Sequence, residues 1–296
     1  MTPAHPLAGR QILVTGAEGT IGRAVCNRLH EVGAVITGLS LTAGNDHEPP
    51  PLQRRLIGDA TDVDTVADAL EGIELLVHLA AIPHPVGNTS YAVFRTNVNA
   101  TFNVLSQAAE RGIRRGVIAS SINHSGLPYN SHDVLPAYFP IDEQLPSDLD
   151  DGYALSKYVD EISARMVNRH WGMDIVALRF PFTSTADGVD EHIGWLTKDP
   201  SHSVVEAWSH LDVRDAAVAV EKSLLCTASG VQPVLVAADN TAAPYRTEEL
   251  LDRYAPGVLR TRTFVGREVP IDLTRSRTLL GFRAEYTVEQ ETLPLP

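Results

Sequence analysis

Short apolar runs alternate with amphipathic stretches along most of the chain. Apolar runs bounded by turn residues are typical of strands buried on both faces, and a 3.6-residue period is typical of the helices that cover such a sheet. The strand-like runs lie at 11–15, 35–39, 55–59, 75–81, 117–121, 174–179 and 233–238, and helical patterns lie at 62–70, 91–111, 153–171, 212–225 and 247–254. The alternation predicts an α/β protein with parallel strands.

The alternation becomes irregular after residue 180. We expect partly helical structure at 187–197, an extended segment at 203–210, and substrate-shaping elements in this region. The loop 122–152 is long, rich in Pro, Asp and Tyr, and without a clear period. Loops of this kind inside a compact domain are usually functional or mobile.

A glycine-rich turn follows the first apolar run. Gly16, Gly19 and Gly22 stand in it, and helical spacing continues from it to Gly33. Glycines in this context let the backbone turn tightly and approach a pyrophosphate, and the helix N-terminus offers unpaired N–H groups to the phosphates. The sequence therefore predicts a dinucleotide site at this turn.

The second strand-like run is followed by Ser40, at the position where a ribose-binding acid would stand. Such an acid pairs with the ribose 2'-hydroxyl of NAD, whereas a nearby arginine accommodates the 2'-phosphate of NADP. The nearest later arginines, Arg54 and Arg55, lie beyond a Pro-rich loop. The cofactor is therefore NAD or NADP, with a slight preference for NADP or dual use, and Asp59 is placed to meet its adenine end.

Tyr153 and Lys157 lie four residues apart at the start of a helical pattern. Residues i and i+4 share a helix face, and a cation beside a phenol stabilises the phenolate. A surface helix with a solvated amine is the alternative interpretation. Lysine occurs at only three positions of the chain, and a dinucleotide site is predicted at the N-terminus, so we interpret the pair as an acid/base.

Small and polar residues end two central strands. Ser120 and Ser121 close the fifth run, in the crevice where parallel sheets bind ligands. Ala80 and Ala81 are small where a cofactor would cross the end of the fourth run. His78, inside that run, is interpreted as a hydrogen-bonded core residue.

The chain has 296 residues, 44% of them hydrophobic, enough for one large core or one core with a smaller lobe. The net charge of -13 argues against nucleic acid and anionic membranes as partners. No apolar run approaches the length of a membrane span, the N-terminus lacks a signal-peptide pattern, and Cys26 and Cys226 show no C-x-x-C spacing, so we expect a cytoplasmic protein. The arginines near the end are expected to form surface ion pairs or, alternatively, to bind an anionic substrate: Arg260, Arg262, Arg267, Arg275 and Arg277.

With these motifs laid out, the chain resembles the extended short-chain dehydrogenase/reductase superfamily, also called the NAD-dependent epimerase/dehydratase family. The resemblance covers nearly the whole chain. It rests on Thr15-Gly16-x-x-Gly19-x-x-Gly22, Asp59, His78-Leu79-Ala80-Ala81, Asn97-Val98-x-x-Thr101, Ala119-Ser120-Ser121, Tyr153-x-x-x-Lys157, Leu178-Arg179-Phe180-Pro181 and Asp212-Val213-x-Asp215.

The resemblance implies a Rossmann doubly wound parallel sheet with a small C-terminal substrate-binding lobe. The Rossmann domain would span 1–179, with 212–238 returning to it, and the lobe 180–211 and 239–296. Tyr153 would be the acid/base, Lys157 would hold the nicotinamide ribose, and Ser121 would bind the reacting oxygen. The expected cofactor-binding residues are Gly16, Gly19, Thr20, Ile21, Gly22, Ser40, Asp59, Ala60, Leu79, Ala80, Ala81, Asn97, Ala119, Tyr153, Lys157, Phe180 and Pro181.

The segment after Ser121 departs from the family pattern. It lacks the tyrosine that nucleotide-sugar epimerases often carry and looks like the Ser-Asn-His segment of uronate dehydrogenases with one residue inserted. Asn123 and His124 are therefore expected to bind substrate beside Ser121 and Tyr153, although His124 could equally cap the loop. The Asp-Glu pair usual in dehydratases is missing.

Three functions follow from this resemblance. The first is hydride transfer between a nicotinamide and a secondary alcohol, lactol or ketone of a sugar, sugar acid or similar polyol. The others are a nucleotide-sugar 4-epimerase that keeps its NAD bound, and a non-catalytic dinucleotide sensor. The resemblance also implies a homodimer through the helices at 91–111 and 153–171.

Overall fold

A seven-stranded parallel sheet forms the centre of the protein, in a computed structural model that describes residues 4–44, 49–288 and 290–295. Its strands in chain order are β1 Gln11–Thr15, β2 Val35–Ser40, β3 Arg54–Ile57, β4 Leu75–His78, β5 Arg115–Ser121, β7 Asp174–Phe180 and β10 Val231–Leu235. Their spatial order is β3-β2-β1-β4-β5-β7-β10, and every neighbouring pair is parallel. The chain reverses its direction of winding between β1 and β4, which opens a crevice at their carboxyl ends.

Helices cover both faces of the sheet. The described α-helices are α1 Thr20–Glu31, α2 Val63–Ala69, α3 Ser90–Glu110, α4 Gly152–Trp171, α5 Ala186–Lys198, α6 Val213–Leu225, α7 Thr247–Tyr254 and α8 Thr274–Leu279. One buried cluster joins α1 and α6 to the sheet, and a second joins α2, α3 and α4 to the opposite face. This two-sided arrangement confirms the predicted Rossmann fold.

A third buried cluster forms the smaller lobe around Trp208. The lobe contains α5, α7 and two short parallel pairs: β8 Phe182–Ser184 with β9 His210–Asp212, and β6 Tyr138–Phe139 with β11 Leu259–Arg260. Ile122 and Phe139 belong to this cluster, so part of the long loop packs with the lobe. The division of the chain at residue 179 stays a prediction.

Most element bounds differ from the predicted ones by a few residues. β4 ends at His78, three residues earlier than expected, and a few residues later the backbone N–H of Ile82 donates to Asn97 of α3. The prediction of an extended segment at 203–210 is wrong for most of its length. A 3-10 helix spans Ser201–Glu206, and strand structure begins at His210. The region predicted as partly helical is the continuous helix α5.

Four histidines have lowered pKa values, because burial disfavours the protonated ring more than any nearby negative charge favours it. Burial, the largest cause in each case, lowers the pKa of His78 to about 3 and the pKa values of His124, His192 and His210 to about 4. Each ring is therefore neutral in the folded protein, whereas in the unfolded chain it binds a proton below about pH 6.5.

We expect the free energy of unfolding to fall as the pH is lowered from 7 to 5, because the unfolded chain takes up protons that the folded protein excludes. Each such histidine contributes up to about 1.4 kcal/mol per pH unit in this window. Urea unfolding at a series of pH values measures the slope. His210→Gln should make it shallower, and His202→Gln, at an exposed site, should leave it unchanged. A flat profile in the wild-type protein would contradict the prediction.

Candidate active site

A cavity of about 790 Å³ opens at the carboxyl ends of the central strands. It extends from the glycine turn after β1, past the ends of β4 and β5 and the start of α4, to residues of the smaller lobe. Sixteen of the seventeen residues expected to bind the cofactor line it: Gly16, Gly19, Thr20, Ile21, Gly22, Ser40, Asp59, Ala60, Leu79, Ala80, Ala81, Ala119, Tyr153, Lys157, Phe180 and Pro181. The seventeenth, Asn97, does not.

The glycine turn needs its glycines for close backbone approach. Gly16 has φ of +72°, and a Cβ there would lie 2.9 Å from the backbone of Leu79 and Ala80. A Cβ on Gly22 would lie 2.0 Å from the carbonyl oxygen of Gly16. α1 begins at Thr20, directly after Gly19, without a side-chain cap, so its first N–H groups remain available to phosphate oxygens.

Thr15 and His78 fix the end of β4 beside this turn. The hydroxyl of Thr15 accepts hydrogen bonds from the backbone N–H groups of Leu79 and Ala80, both at 3.2 Å. His78 bridges Thr15 through Nδ1, at 2.8 Å, and Thr101 through Nε2, at 3.1 Å. The ring is buried in this network, which agrees with its interpretation as a core residue.

Asn97 acts on the cavity through the backbone. Its side chain is fully buried, with Oδ1 accepting from the N–H of Ile82 at 2.8 Å and Nδ2 donating to the carbonyl oxygen of Ile82 and to Ser156. Ile82 lines the cavity. Asn97 itself does not line the cavity, because its amide holds the segment after β4. Its expected role at the cofactor stays a prediction.

The outer end of the cavity contains an ion cluster instead of an acid after β2. Ser40 accepts a hydrogen bond from the backbone N–H of Glu18 at 3.0 Å. The carboxylate of Glu18 is nearly buried and pairs with Arg23 and Arg55, each at 3.1 Å. Glu18, Ser40 and Asp59 line the cavity here. Arg55, considered from sequence as a distant arginine, thus contacts an acid inside the glycine turn.

Tyr153 lies at the first turn of α4, which Asp151 caps by accepting hydrogen bonds from the N–H groups of Tyr153 and Ala154 at 2.8 Å. One turn later, the buried Lys157 lies with its Nζ 5.9 Å from the centre of the Tyr153 ring. Lys157 donates to the carbonyl oxygen of Ala119 at 2.9 Å, which ties α4 to β5. The predicted i, i+4 pair therefore does share one face, and that face lines the cavity.

Asp160, which the sequence did not single out, lies 3.3 Å from Nζ of Lys157. Burial raises the pKa of Asp160, and the charge of Lys157 and a hydrogen bond from Thr101 oppose that change. Two of the three N–H donors of the ammonium are thereby engaged, by Ala119 and Asp160, which leaves one for a ligand.

Ser121 ends β5 in the cavity wall, and its hydroxyl accepts from the backbone N–H and the side-chain amide of Asn123 at 3.1 and 3.2 Å. Its own O–H therefore remains free to donate. Asn123 lines the cavity, as expected of a substrate-binding residue, but His124 does not.

His124 points into the protein interior. Its Nε2 lies 3.2 Å from the guanidinium of Arg179 and 3.3 Å from the carboxylate of Glu161, and its ring lies 5.0 Å from that of Tyr158. Because burial lowers its pKa to about 4, the ring is neutral and can accept from the guanidinium. His124 therefore does not line the cavity, and its contacts are with Arg179, Glu161 and Tyr158. Its expected place among the substrate-binding residues stays a prediction.

Several cavity residues were not anticipated. Tyr129, in the long loop, meets Tyr153 edge-on with the ring centroids 6.4 Å apart, and Glu206 ends the 3-10 helix of the lobe. The sequence signal for Tyr129 is limited to the tyrosine content of its loop, and Glu206 has no local motif. Further unanticipated lining residues are Glu18, Leu39, Leu41, Thr42, Gly58, Ile82, Pro83, His84, Thr96, Ala100, Phe182 and Thr183.

Comparison with known protein families matches residues 12–188 to the NAD dependent epimerase/dehydratase family. The chain belongs to this family. The resemblance drawn from the sequence is thereby confirmed, together with the prediction of an enzyme of the short-chain dehydrogenase/reductase type.

Individual relatives span part of the chain. An L-arabinose 1-dehydrogenase (NAD(P)(+)) of Haloferax volcanii is 30% identical over 194 residues, 61% of this chain and 70% of its own length. A putative UDP-glucose 4-epimerase of Methanocaldococcus jannaschii is 31% identical over 173 residues, and the match covers 57% of this chain and 54% of that protein.

A solved structure extends the likeness of the fold to nearly the whole chain. A short-chain dehydrogenase/reductase superfamily protein from Agrobacterium tumefaciens, with bound NAD, superposes with a TM-score of 0.70 at 23% identity, covering 94% of this chain and 93% of its own. At this identity the likeness concerns the fold. Within the described residues, every helix is too short or too polar to cross a membrane.

Gly22→Ala should weaken dinucleotide binding, because the new methyl group overlaps the Gly16 carbonyl and forces the turn open. Overpacking of this kind costs about 1–3 kcal/mol, so we expect the dissociation constant for NAD or NADP to rise about tenfold or more. Calorimetric titration measures it. Gly194→Ala, in α5, meets no atom within 4 Å and should leave binding unchanged. Equal affinities in both variants would contradict the role of the turn.

Proposed function

We propose that the protein is an NAD(P)-dependent oxidoreductase that transfers hydride between a nicotinamide and a secondary alcohol, lactol or ketone of a sugar or similar polyol. The observation that carries the proposal is the convergence of Ser121, Tyr153 and Lys157 on one cavity that also contains the glycine turn. The sugar dehydrogenase and the sugar-nucleotide epimerase among the relatives support a sugar substrate.

Each of the three side chains has a role that its contacts support. Tyr153, as phenolate, takes the proton of the substrate hydroxyl in the oxidation direction, and as phenol returns it in reduction. Ser121 donates its free O–H to the same oxygen. Lys157 stabilises the phenolate and offers its remaining N–H to a ribose hydroxyl. A bound nicotinamide supplies the hydride acceptor or donor.

The cofactor is NAD or NADP in this proposal. Backbone N–H groups at the start of α1 hold the pyrophosphate, and Ser40 brings no charge to the ribose. The carboxylate of Glu18 is paired with Arg23 and Arg55, so this end of the cavity is neither strongly repulsive nor strongly attractive to a 2'-phosphate. Initial rates with both cofactors decide the preference.

A nucleotide-sugar 4-epimerase is the second candidate, favoured by the M. jannaschii relative. It would use the same Ser, Tyr and Lys. However, no arginine lines the cavity among the described residues, although a nucleotide diphosphate is commonly bound by bidentate arginine contacts. Three of the arginines near the end instead pair with acids: Arg260 with Glu248 and Asp252, Arg262 with Glu268, and Arg277 with Asp239. Arg267 and Arg275 donate to backbone carbonyl oxygens.

Tyr153→Phe should reduce turnover by about 10²-fold or more, because it removes the positioned acid/base and leaves the rest of the cavity intact. The reaction is followed at 340 nm with NAD(P) and a panel of sugars, and the affinity for the cofactor is measured separately and should change little. Tyr254→Phe, in α7 and away from the cavity, is the matched control. Full turnover by Tyr153→Phe would remove this residue from the mechanism.

We also propose that the protein forms a homodimer through α3 and α4, which pack against each other and leave their outer faces exposed. Leu155, Ile162 and Met166 form an apolar stripe along the outer face of α4, with 39%, 43% and 38% of each residue exposed. Tyr91 and Phe102 are exposed on α3. Such a stripe is typical of a helix that packs on a partner.

Ile162→Glu should therefore convert the dimer into a monomer, because it would bury an unpaired charge at the interface. Light scattering after size exclusion measures the mass, expected to be twice 32.1 kDa for the wild-type protein and 32.1 kDa for the variant. Val265→Glu, at a residue that is 83% exposed outside both helices, should remain dimeric. A monomeric wild-type protein at micromolar concentration would refute this interface.

A further inference from the structure

Glu206 brings a carboxyl group into the part of the cavity that belongs to the smaller lobe. It lines the same cavity as Ser121, Asn123 and Tyr153. Its charge raises the pKa of Tyr129, after the larger effect of burial, and the ring of Tyr129 in turn meets that of Tyr153. The carboxyl group therefore lies near the proposed reacting centre and apart from the acids at the adenosine end.

The backbone after Glu206 adopts an unusual conformation that ends the 3-10 helix at the cavity. Ala207 and Trp208 have φ of +59° and +48°, a left-handed conformation that costs a residue with a Cβ about 1–2 kcal/mol. Buried contacts of Trp208 maintain it: the indole donates to the carbonyl oxygen of Pro200 at 2.7 Å, and the backbone N–H donates to Ser203 at 2.9 Å. The side chain of Trp208 thus enters the core of the lobe while Glu206 remains in the cavity wall.

The carboxyl group of Glu206 has no cationic partner in the described part of the chain. Among the described residues Glu206 forms no ion pair, and its side-chain partner is the hydroxyl of Ser203. Burial raises the pKa of Glu206 to about 7, against the effect of that hydrogen bond. Among the described residues, Lys157 is the one Lys or Arg side chain that lines the cavity, and its ammonium group already contacts Ala119 and Asp160. His84 also lines the cavity and is exposed to solvent.

We propose that Glu206 accepts a hydrogen bond from a substrate hydroxyl and thereby selects neutral sugars over uronates and sugar phosphates. A carboxylate accepts hydrogen bonds and repels a second anion placed beside it, and discrimination gains from such a repulsive contact as well as from the attractive one. This inference rests on the proposed sugar oxidoreductase function. The resemblance of the segment after Ser121 to uronate dehydrogenases would instead suggest a uronate substrate. That suggestion depends on His124, which does not line the cavity and contacts Arg179.

The experiment compares Glu206→Gln with the wild-type protein on neutral aldoses, hexuronates and glucose 6-phosphate at about pH 8.5, where Glu206, whose pKa burial raises to about 7, is a carboxylate. The loss of one charge-assisted hydrogen bond should lower kcat/KM for the neutral sugar about 10- to 100-fold, mainly through KM. The ratio of kcat/KM for a hexuronate to that for the neutral sugar should rise by about tenfold or more. Glu206→Asp keeps the charge and should keep a low ratio, and Glu191→Gln, at an exposed site of the same lobe, should behave as wild type.

The outcomes separate this inference from the proposed function. Wild-type preference for a uronate or phosphate, or an unchanged ratio in Glu206→Gln, would overturn the role of Glu206 and leave the oxidoreductase standing. If neither substrate class is oxidised or reduced, the proposed function fails. The thermal shift of wild type and Glu206→Gln with each sugar in the presence of NAD then tests Glu206 alone, and equal shifts would refute it. Melting temperatures of the unliganded variants show whether they fold.

Discussion

The buried ion pair between Arg179 and Glu161 joins the three elements on which the candidate site stands. Arg179 of β7 donates to both carboxylate oxygens of Glu161 in α4, at 2.9 and 3.0 Å. Ser120 of β5 donates to Glu161, and His124 contacts Arg179. Burial opposes the ionisation of Glu161, but the hydrogen bond and charge of Arg179 outweigh it, so the pKa of Glu161 is lowered. Removing one partner of such a pair costs about 3–5 kcal/mol, because an uncompensated charge stays buried.

The buried ion pair also holds together the two elements that carry Tyr153 and Ser121. Glu161 lies one helical turn after Lys157, and Ser120 directly precedes Ser121, so the ion pair and the Lys157 contact to Ala119 lock α4 onto the end of β5 at two neighbouring points. The phenol of Tyr153 and the hydroxyl of Ser121 are therefore carried by rigid elements. Such preorganisation is what a site for proton transfer requires.

The two ends of the cavity use different chemistry for recognition. At the glycine turn, backbone N–H groups and close packing suit a pyrophosphate. The side chain of Glu18 forms ion pairs there with Arg23 and Arg55. At the lobe, a left-handed turn and the buried Trp208 deliver one acidic side chain, Glu206. In the proposed function, the sheet supplies the framework for hydride transfer, and the lobe supplies Glu206 as the group that distinguishes substrates.

Features that depend on neighbouring residues could be predicted from the sequence. The glycine turn, the i, i+4 pair of Tyr153 and Lys157, and the succession of strands and helices along the chain follow from backbone sterics and helix geometry within a few positions. Which polar side chains reach the cavity depends on contacts between distant segments and is visible only in the folded protein. Asn97 and His124 were expected there, but their partners Ile82 and Arg179 lie 15 and 55 residues away and draw them into the interior. Glu206 was not foreseen, because its position depends on how Trp208 packs in a lobe assembled from distant segments.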